Sequence, residues 1–215
     1  MDEDAQESPE RSFTALGGGG VAAQRSFTAL GGETVYAGRL VDVRIERFRH
    51  ADGEEVSREI VRHRGAVAIV AYDERSVWLV RQPREAVGEP DLLEIPAGRL
   101  DVDGEAPADA AKRELAEEIG CAARRWEPIL TYYTGAGFTD ERVHLFAASE
   151  LYERSADSGE NERIEIVEWP LDELDGAIEE SRDAKTLIGL MWLARRLNGG
   201  LQLQGGGAAE AKPEG

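Results

Sequence analysis

Residues 98–121 read GRLDVDGEAPADAAKRELAEEIGC. Pro107 suits a first helical position, because its missing N–H would have had no intrahelical partner. Asp109 complements the positive end of a helix dipole, and Gly120 supplies the left-handed residue that often ends one. The segment therefore predicts a helix over Pro107–Ile119. Ala111, Leu115 and Ile119 recur every four residues, so one stripe faces a core. Glu114, Glu117 and Glu118 stand at i, i+3 and i+4, which puts three carboxylates on one side of the helix. Two carboxylates about 4 Å apart repel by roughly 4 kcal/mol at an effective dielectric near 20. A hard divalent cation relieves that repulsion, and Arg113 can offset part of it. Taken alone, the three glutamates are more simply read as a solvated helix face.

Outward from this helix the pattern is strand-rich. Residues 40–48 (LVDVRIERF) alternate, with Val41, Val43 and Ile45 on one side, and residues 55–61 make a partner strand. Residues 66–72 (AVAIVAY) and 76–82 (SVWLVRQ) predict a central hairpin around residues 73–75. Further strands are predicted at 126–133, 143–147 and 164–169. A last amphipathic helix is predicted over 183–197, with Leu187, Leu190, Met191 and Leu197 buried and Asp183 capping it near Lys185. The four tryptophans, at 78, 126, 169 and 192, read as core. Interleaved strands and helices with a mixed sheet give an α/β or α+β sandwich.

The chain has 215 residues, 25 Lys+Arg and 43 Asp+Glu, for a formal net charge of −18. That length is enough for one core, and that charge disfavours phosphate backbones and anionic lipid, so no nucleic-acid and no membrane partner is expected. Cys121 is the single cysteine, which excludes an intrachain disulfide and a thiolate metal cage. Apolar runs are too short to span a bilayer, and the expectation is a soluble, cytoplasmic protein. Residues 150–183 hold 13 acidic and 3 basic side chains on no common helical face, a solvated acidic flank. His50, His63 and His144 lack ligand spacing. RSFTALGG occurs twice, at 11–18 and 25–32. Residues 1–24 are expected to be disordered or loosely attached, 25–61 to form an N-terminal β subdomain, 62–197 the main domain, and 198–215 a flexible tail.

The full spacing of the opening stretch goes further than its glutamates. Gly98, Glu105 and then Arg113-Glu114-Leu115-x-Glu117-Glu118-x-Gly120-Cys121 closely resemble the Nudix box, G-x5-E-x7-R-E-U-x-E-E-x-G-U with U apolar. Six residues, not five, separate Gly98 from Glu105, an insertion in the loop before the helix. Residues 58–61 (REIV), 65–70, 81–84 (RQPR), 94–98 (EIPAG), 137–141 (GFTDE) and 183–186 (DAKT) resemble the ADP-ribose pyrophosphatase branch of the Nudix hydrolases.

The resemblance implies a Nudix α/β/α sandwich and a homodimer with exchanged N-terminal strands. It further implies Mg²⁺ (or Mn²⁺) held by Glu114, Glu117, Glu118 and the backbone carbonyl of Ala97. The activity it implies is hydrolysis of ADP-ribose to AMP and ribose 5-phosphate. Another nucleoside diphosphate sugar such as GDP-mannose is the alternative, followed by a non-catalytic nucleotide-sugar binding module. Glu141 matches the family's base on a mobile loop, with Glu117 as the second candidate. Arg84 is the first choice for the diphosphate, Arg58 and Glu59 match positions at the adenosine end, and Phe138 is a pocket-lining candidate. For Arg58 and Glu59 a cross-strand ion pair remains the competing reading. Glu105 is read as a brace between loop and helix.

Overall fold

The computed structural model describes residues 12–13, 26–154 and 163–199. Eleven strands and three α-helices follow one another among these residues. They form two compact units, one of Met1–His63 with Gly135–Glu141, the other of Arg64–Thr134 with Arg142–Gly215.

The first unit is an antiparallel four-stranded sheet in the order β1 (Ser12–Phe13), β2 (Phe27–Ala37), β3 (Asp42–His50), β4 (Glu55–Arg62). β1 belongs to the first RSFTALGG copy and pairs with the second, Phe13 opposite Phe27. The remainder of the N-terminal 1–24 segment, expected to be loose, lies outside the described residues. So does the 198–215 tail beyond Gly199. Gly32 in β2 leaves no room for a side chain: a Cβ there would stand 2.2 Å from the Ile45 carbonyl oxygen. Two glycines and two register shifts obscure β2 in the sequence.

The second unit is a three-layer α/β/α sandwich. Its mixed sheet has the order β11 (Glu165–Pro170), β6 (Ser76–Arg84), β5 (Ala66–Tyr72), β10 (Arg142–Glu153), β9 (Cys121–Tyr133). β7 (Glu89–Glu94) pairs with β6, and β8 (Ala97–Arg99) with β5. β5 and β10 run parallel, the other pairs antiparallel. β5 is covered on both faces, which is why it reads as a continuous apolar run. Val67, Ile69 and Ala71 pack with Ala111, Leu115 and Ile119 of α1 (Pro107–Ile119). Ala68 and Val70 pack on the other side with Ala177 of α2 (Leu174–Glu180) and Leu190 and Leu193 of α3 (Ala184–Leu197). Truncating the fully buried Leu115 to Ala would cost about 2–5 kcal/mol.

Helix α1 has the predicted bounds, and Gly120 ends it at φ +67° with its N–H on the Ala116 carbonyl. The hairpin of β5 and β6 forms, but its pairs are confined to Ala71–Trp78 and Tyr72–Val77, since β8 takes the rest of that edge of β5. β9 and β10 run well past their apolar stretches, and Pro128 is tolerated because β9 is an edge strand with a register shift there. In α3 the buried set differs from the expectation. Thr186, Gly189, Leu190 and Leu193 are buried, whereas Met191 and Leu197 are exposed. Gly189 lets the helix approach the sheet, with Val70 at 2.9 Å from the position of a Cβ, and this rotates the buried stripe away from Met191. The four tryptophans are half-buried at the margins of the core, not within it. Trp126 and Trp169 spend their indole N–H on the carbonyls of Ala123 and Glu173.

Candidate active site

In the second unit, α1 is held with its stripe on β5 and its glutamates on another side. Arg113 organises that side. Its Nε and Nη2 donate to the two oxygens of Glu105 at 3.1 and 3.0 Å, forming the brace between loop and helix. Nη1 donates to Glu114 at 2.8 Å and to Glu117 at 2.9 Å. The Glu105 hydrogen bonds, followed by the charges of Glu114 and Glu117, outweigh partial burial and hold Arg113 more firmly protonated than a free guanidinium. One cation thus serves three carboxylates, leaving a formal −2 before the buried Glu118 is counted.

Glycine is obligatory at position 98. A Cβ there would stand 1.8 Å from Glu114 Cδ and 2.1 Å from Oε1, so the backbone of β8 and the carboxylate occupy adjoining space. One residue earlier, the Ala97 N–H donates to Glu118 Oε2 at 3.0 Å. Ala97, Glu114 and Glu118 are therefore brought together by β8 and α1. Among the described residues no three His, Cys, Asp or Glu side chains form a ready-made cage. Arg113 holds one oxygen each of Glu114 and Glu117, and Glu118 and the Ala97 peptide lie beside them. This surplus of negative charge on oxygen donors suits a hard divalent cation that keeps water or substrate oxygens in its shell.

A second charged cluster lies in the same unit around Glu94, the last residue of β7, only 2% exposed. Arg84 donates to its Oε2 through Nε and Nη2 at 2.9 and 2.6 Å, and Gln82 adds a bond of 3.0 Å. Lys185, on the first turn of α3, reaches Oε1 at 2.8 Å and also pairs with Asp183 at 3.0 Å. Asp183 caps α3 as predicted, accepting the Thr186 N–H at 2.9 Å. Thr186 Oγ1 in turn accepts the Ile95 N–H at 2.9 Å. Burial works against the Arg84 charge, but the Glu94 bond and the fields of Glu94, Glu118 and Asp183 raise its pKa. Sequence reasoning did not single out Glu94, and it assigned Lys185 no role. The available signal was a lone carboxylate inside the apolar run LLEIPA, where a buried charge needs partners.

In the first unit, β3, β4 and residues 136–140 line a cavity of about 770 Å³. Arg58 and Phe138 both line it; Glu59 does not, because successive residues of β4 face opposite sides of the sheet. Glu46, opposite Arg58 in register, is bonded to Arg44 and Arg62 at 3.0 and 2.7 Å, so Arg58 takes no part in that ion pair. The segment carrying Glu141 is tied to β4. Val61 donates its N–H to the Phe138 carbonyl at 2.8 Å, and Arg62 pairs with Asp140 at 2.7 Å. His63 Nδ1 lies 3.3 Å from Glu141 Oε1. Burial disfavours the Asp140 charge, yet Arg62 and the His63 N–H hold its pKa below the ordinary value. His144 lies elsewhere, 3.0 Å from Thr131 Oγ1.

A three-layer sandwich that sets the carboxylates of α1 against Gly98 of β8 presents oxygen donors of the kind a metal-assisted hydrolase uses. Comparison with known proteins agrees. The ADP-ribose pyrophosphatase of Bacillus subtilis (strain 168) is 38% identical over 175 residues, which cover 79% of this chain and 92% of that protein. The methanol dehydrogenase activator of Bacillus methanolicus is 37% identical over 164 residues, covering 74% and 88%. A crystal structure described as an ADP compounds hydrolase matches with a TM-score of 0.71 at 26% identity, covering 80% of this chain and 95% of that one. The NUDIX domain family model matches residues 62–188, and the chain belongs to the Nudix family.

Proposed function

We propose that this Nudix hydrolase splits ADP-ribose into AMP and ribose 5-phosphate. The observation that carries the reading is the Arg113 cluster: three carboxylates on one cation, with Glu118 and the Ala97 backbone alongside. The similarity to a protein named ADP-ribose pyrophosphatase, over 92% of its length, supports the substrate. Mg²⁺, or Mn²⁺ in its place, supplies positive charge to the diphosphate oxygens when held by Glu114, Glu118 and the Ala97 carbonyl. Glu117 adds its charge to that site.

Water attacks one phosphorus, the bridging P–O bond breaks, and a carboxylate receives the proton. Glu141 is the proposed base. Glu117 is the second candidate, and the hydrogen bond it accepts from Arg113 occupies an oxygen that a base would use. Arg84 contacts the diphosphate, with its side chain 39% exposed beside Glu94. Arg58 and Phe138 contribute to the nucleoside end. Glu59, on the other side of β4, is proposed there only through the family match. A homodimer with exchanged N-terminal strands is proposed on the same resemblance, and a monomeric mass by light scattering would refute it. No helix among the described residues is long and apolar enough to cross a membrane, and the cytoplasm is the proposed compartment.

Substrate preference is tested by turnover of ADP-ribose and GDP-mannose at matched concentration with Mg²⁺. Faster release of AMP is expected; faster turnover of GDP-mannose would replace the substrate.

A further inference from the structure

The Glu94 cluster has four charged members: Glu94 and Asp183 against Arg84 and Lys185, a formal sum of zero. Glu94 is inaccessible, and both its oxygens are engaged from within the protein. Arg84 spends Nε and Nη2 on one of them, which directs Nη1 to the opposite edge of the guanidinium. Lys185 comes from a different layer of the sandwich, 91 residues away from Glu94 in the chain. Its side chain is 15% exposed, too enclosed for an ordinary solvated lysine. Capping of α3 does not need it, since Asp183 and Thr186 already satisfy that end.

We propose that Lys185 is a positioning residue for diphosphate binding: it takes up half of the buried Glu94 charge, so that Arg84 is oriented by Glu94 without being neutralised by it. The proposal rests on the reading of Arg84 as the diphosphate contact. Without Lys185 the cluster carries −1, the Arg84 guanidinium is the one cation left on Glu94, and an incoming diphosphate meets a net negative site. Replacing Glu94 by Gln in that background returns the sum to zero and keeps an acceptor oxygen for Arg84. A residue that only balanced Glu94 for folding would lower the melting temperature and the active fraction when lost, and would leave KM and ADP affinity unchanged.

The test compares the full-length protein with Lys185→Met, Lys185→Arg and the double variant Lys185→Met/Glu94→Gln. Three quantities are read: the affinity for ADP with Mg²⁺ by calorimetry, steady-state hydrolysis of ADP-ribose, and the Arg84 Nε–H resonance by NMR. Lys185→Met is expected to weaken ADP binding and raise KM about tenfold, with kcat within about threefold of wild type. Lys185→Arg and the double variant are expected within about threefold of wild type in both. The Arg84 Nε–H resonance, identified by its loss in Arg84→Ala, should shift in Lys185→Met and return in the double variant. A double variant as weak as Lys185→Met would overturn the proposal, as would a lowered kcat at unchanged KM and ADP affinity. If wild type binds ADP with this pattern but does not hydrolyse ADP-ribose, the substrate reading falls and the positioning role stands.

Discussion

The two charged clusters of the second unit are near mirror images. Around Arg113, one cation serves three carboxylates, each 13–32% exposed; around Glu94, one carboxylate of 3% side-chain exposure serves two cations. The first is left with surplus negative charge at an accessible face, so it suits a cation from solution. The second is closed, balanced and anchored in three elements, so it fixes the direction of a guanidinium. A cluster's composition alone does not give its role: burial and charge sum together separate a binding group from a supporting one.

The comparison breaks most severely at Glu118. Glu118→Gln keeps the hydrogen bond from Ala97 but removes a full charge, and kcat/KM is expected to fall about 10³-fold or more in steady-state assays. Circular dichroism should remain native. Gly98→Ala comes next, because its Cβ must displace the Glu114 carboxylate; a loss of about 10²-fold is expected in the same assay. Glu105→Gln acts only through Arg113 and should cost severalfold in rate, with a melting temperature lower by roughly 2–4 °C. A rate loss matching that of Glu118→Gln would make Glu105 part of the metal shell.

The smallest effect lies in the first unit and sharpens the comparison with a third ion cluster. Burial raises the Glu46 pKa, but bonds and charge from Arg62 and Arg44 outweigh it and hold the carboxyl below its ordinary 4.5. A depressed folded-state pKa means that this stabilisation is present above about pH 4.5 and is lost as pH falls through the folded value. In Arg62→Met the Glu46 midpoint, followed by carboxyl-carbon NMR, should move up toward 4.5. An unchanged midpoint would assign the depression to Arg44 alone.

Much of this was legible in the sequence where a local rule acts. Pro107 and Gly120 mark α1, and the spacing from Arg113 to Gly120 places the carboxylates, since a helix converts spacing directly into a shared face. Gly98 shows why the motif needs a glycine, though only the structure reveals that Glu114 is the neighbour. What stayed hidden depends on contacts between distant segments. Lys185 meets Glu94, and Asp140 meets Arg62, across 91 and 78 residues. The burial of Gly189 rather than Met191 reflects close packing of α3 on Val70, which periodicity does not register. Arg58 and Glu59 are separated by a local rule. Adjacent in a motif, they face opposite sides of a strand, as period-two alternation alone requires.

In the proposed function the carboxylate face of α1 holds a divalent cation for hydrolysis of a nucleoside diphosphate sugar. The most direct measurement is product formation from ADP-ribose across a Mg²⁺ titration, for wild type and Glu118→Gln in parallel. AMP and ribose 5-phosphate are expected in equal amounts, saturating with Mg²⁺ and abolished by chelator, with Glu118→Gln slower by about 10³-fold at every concentration. Equal rates for the two proteins, or turnover indifferent to chelator, would contradict it.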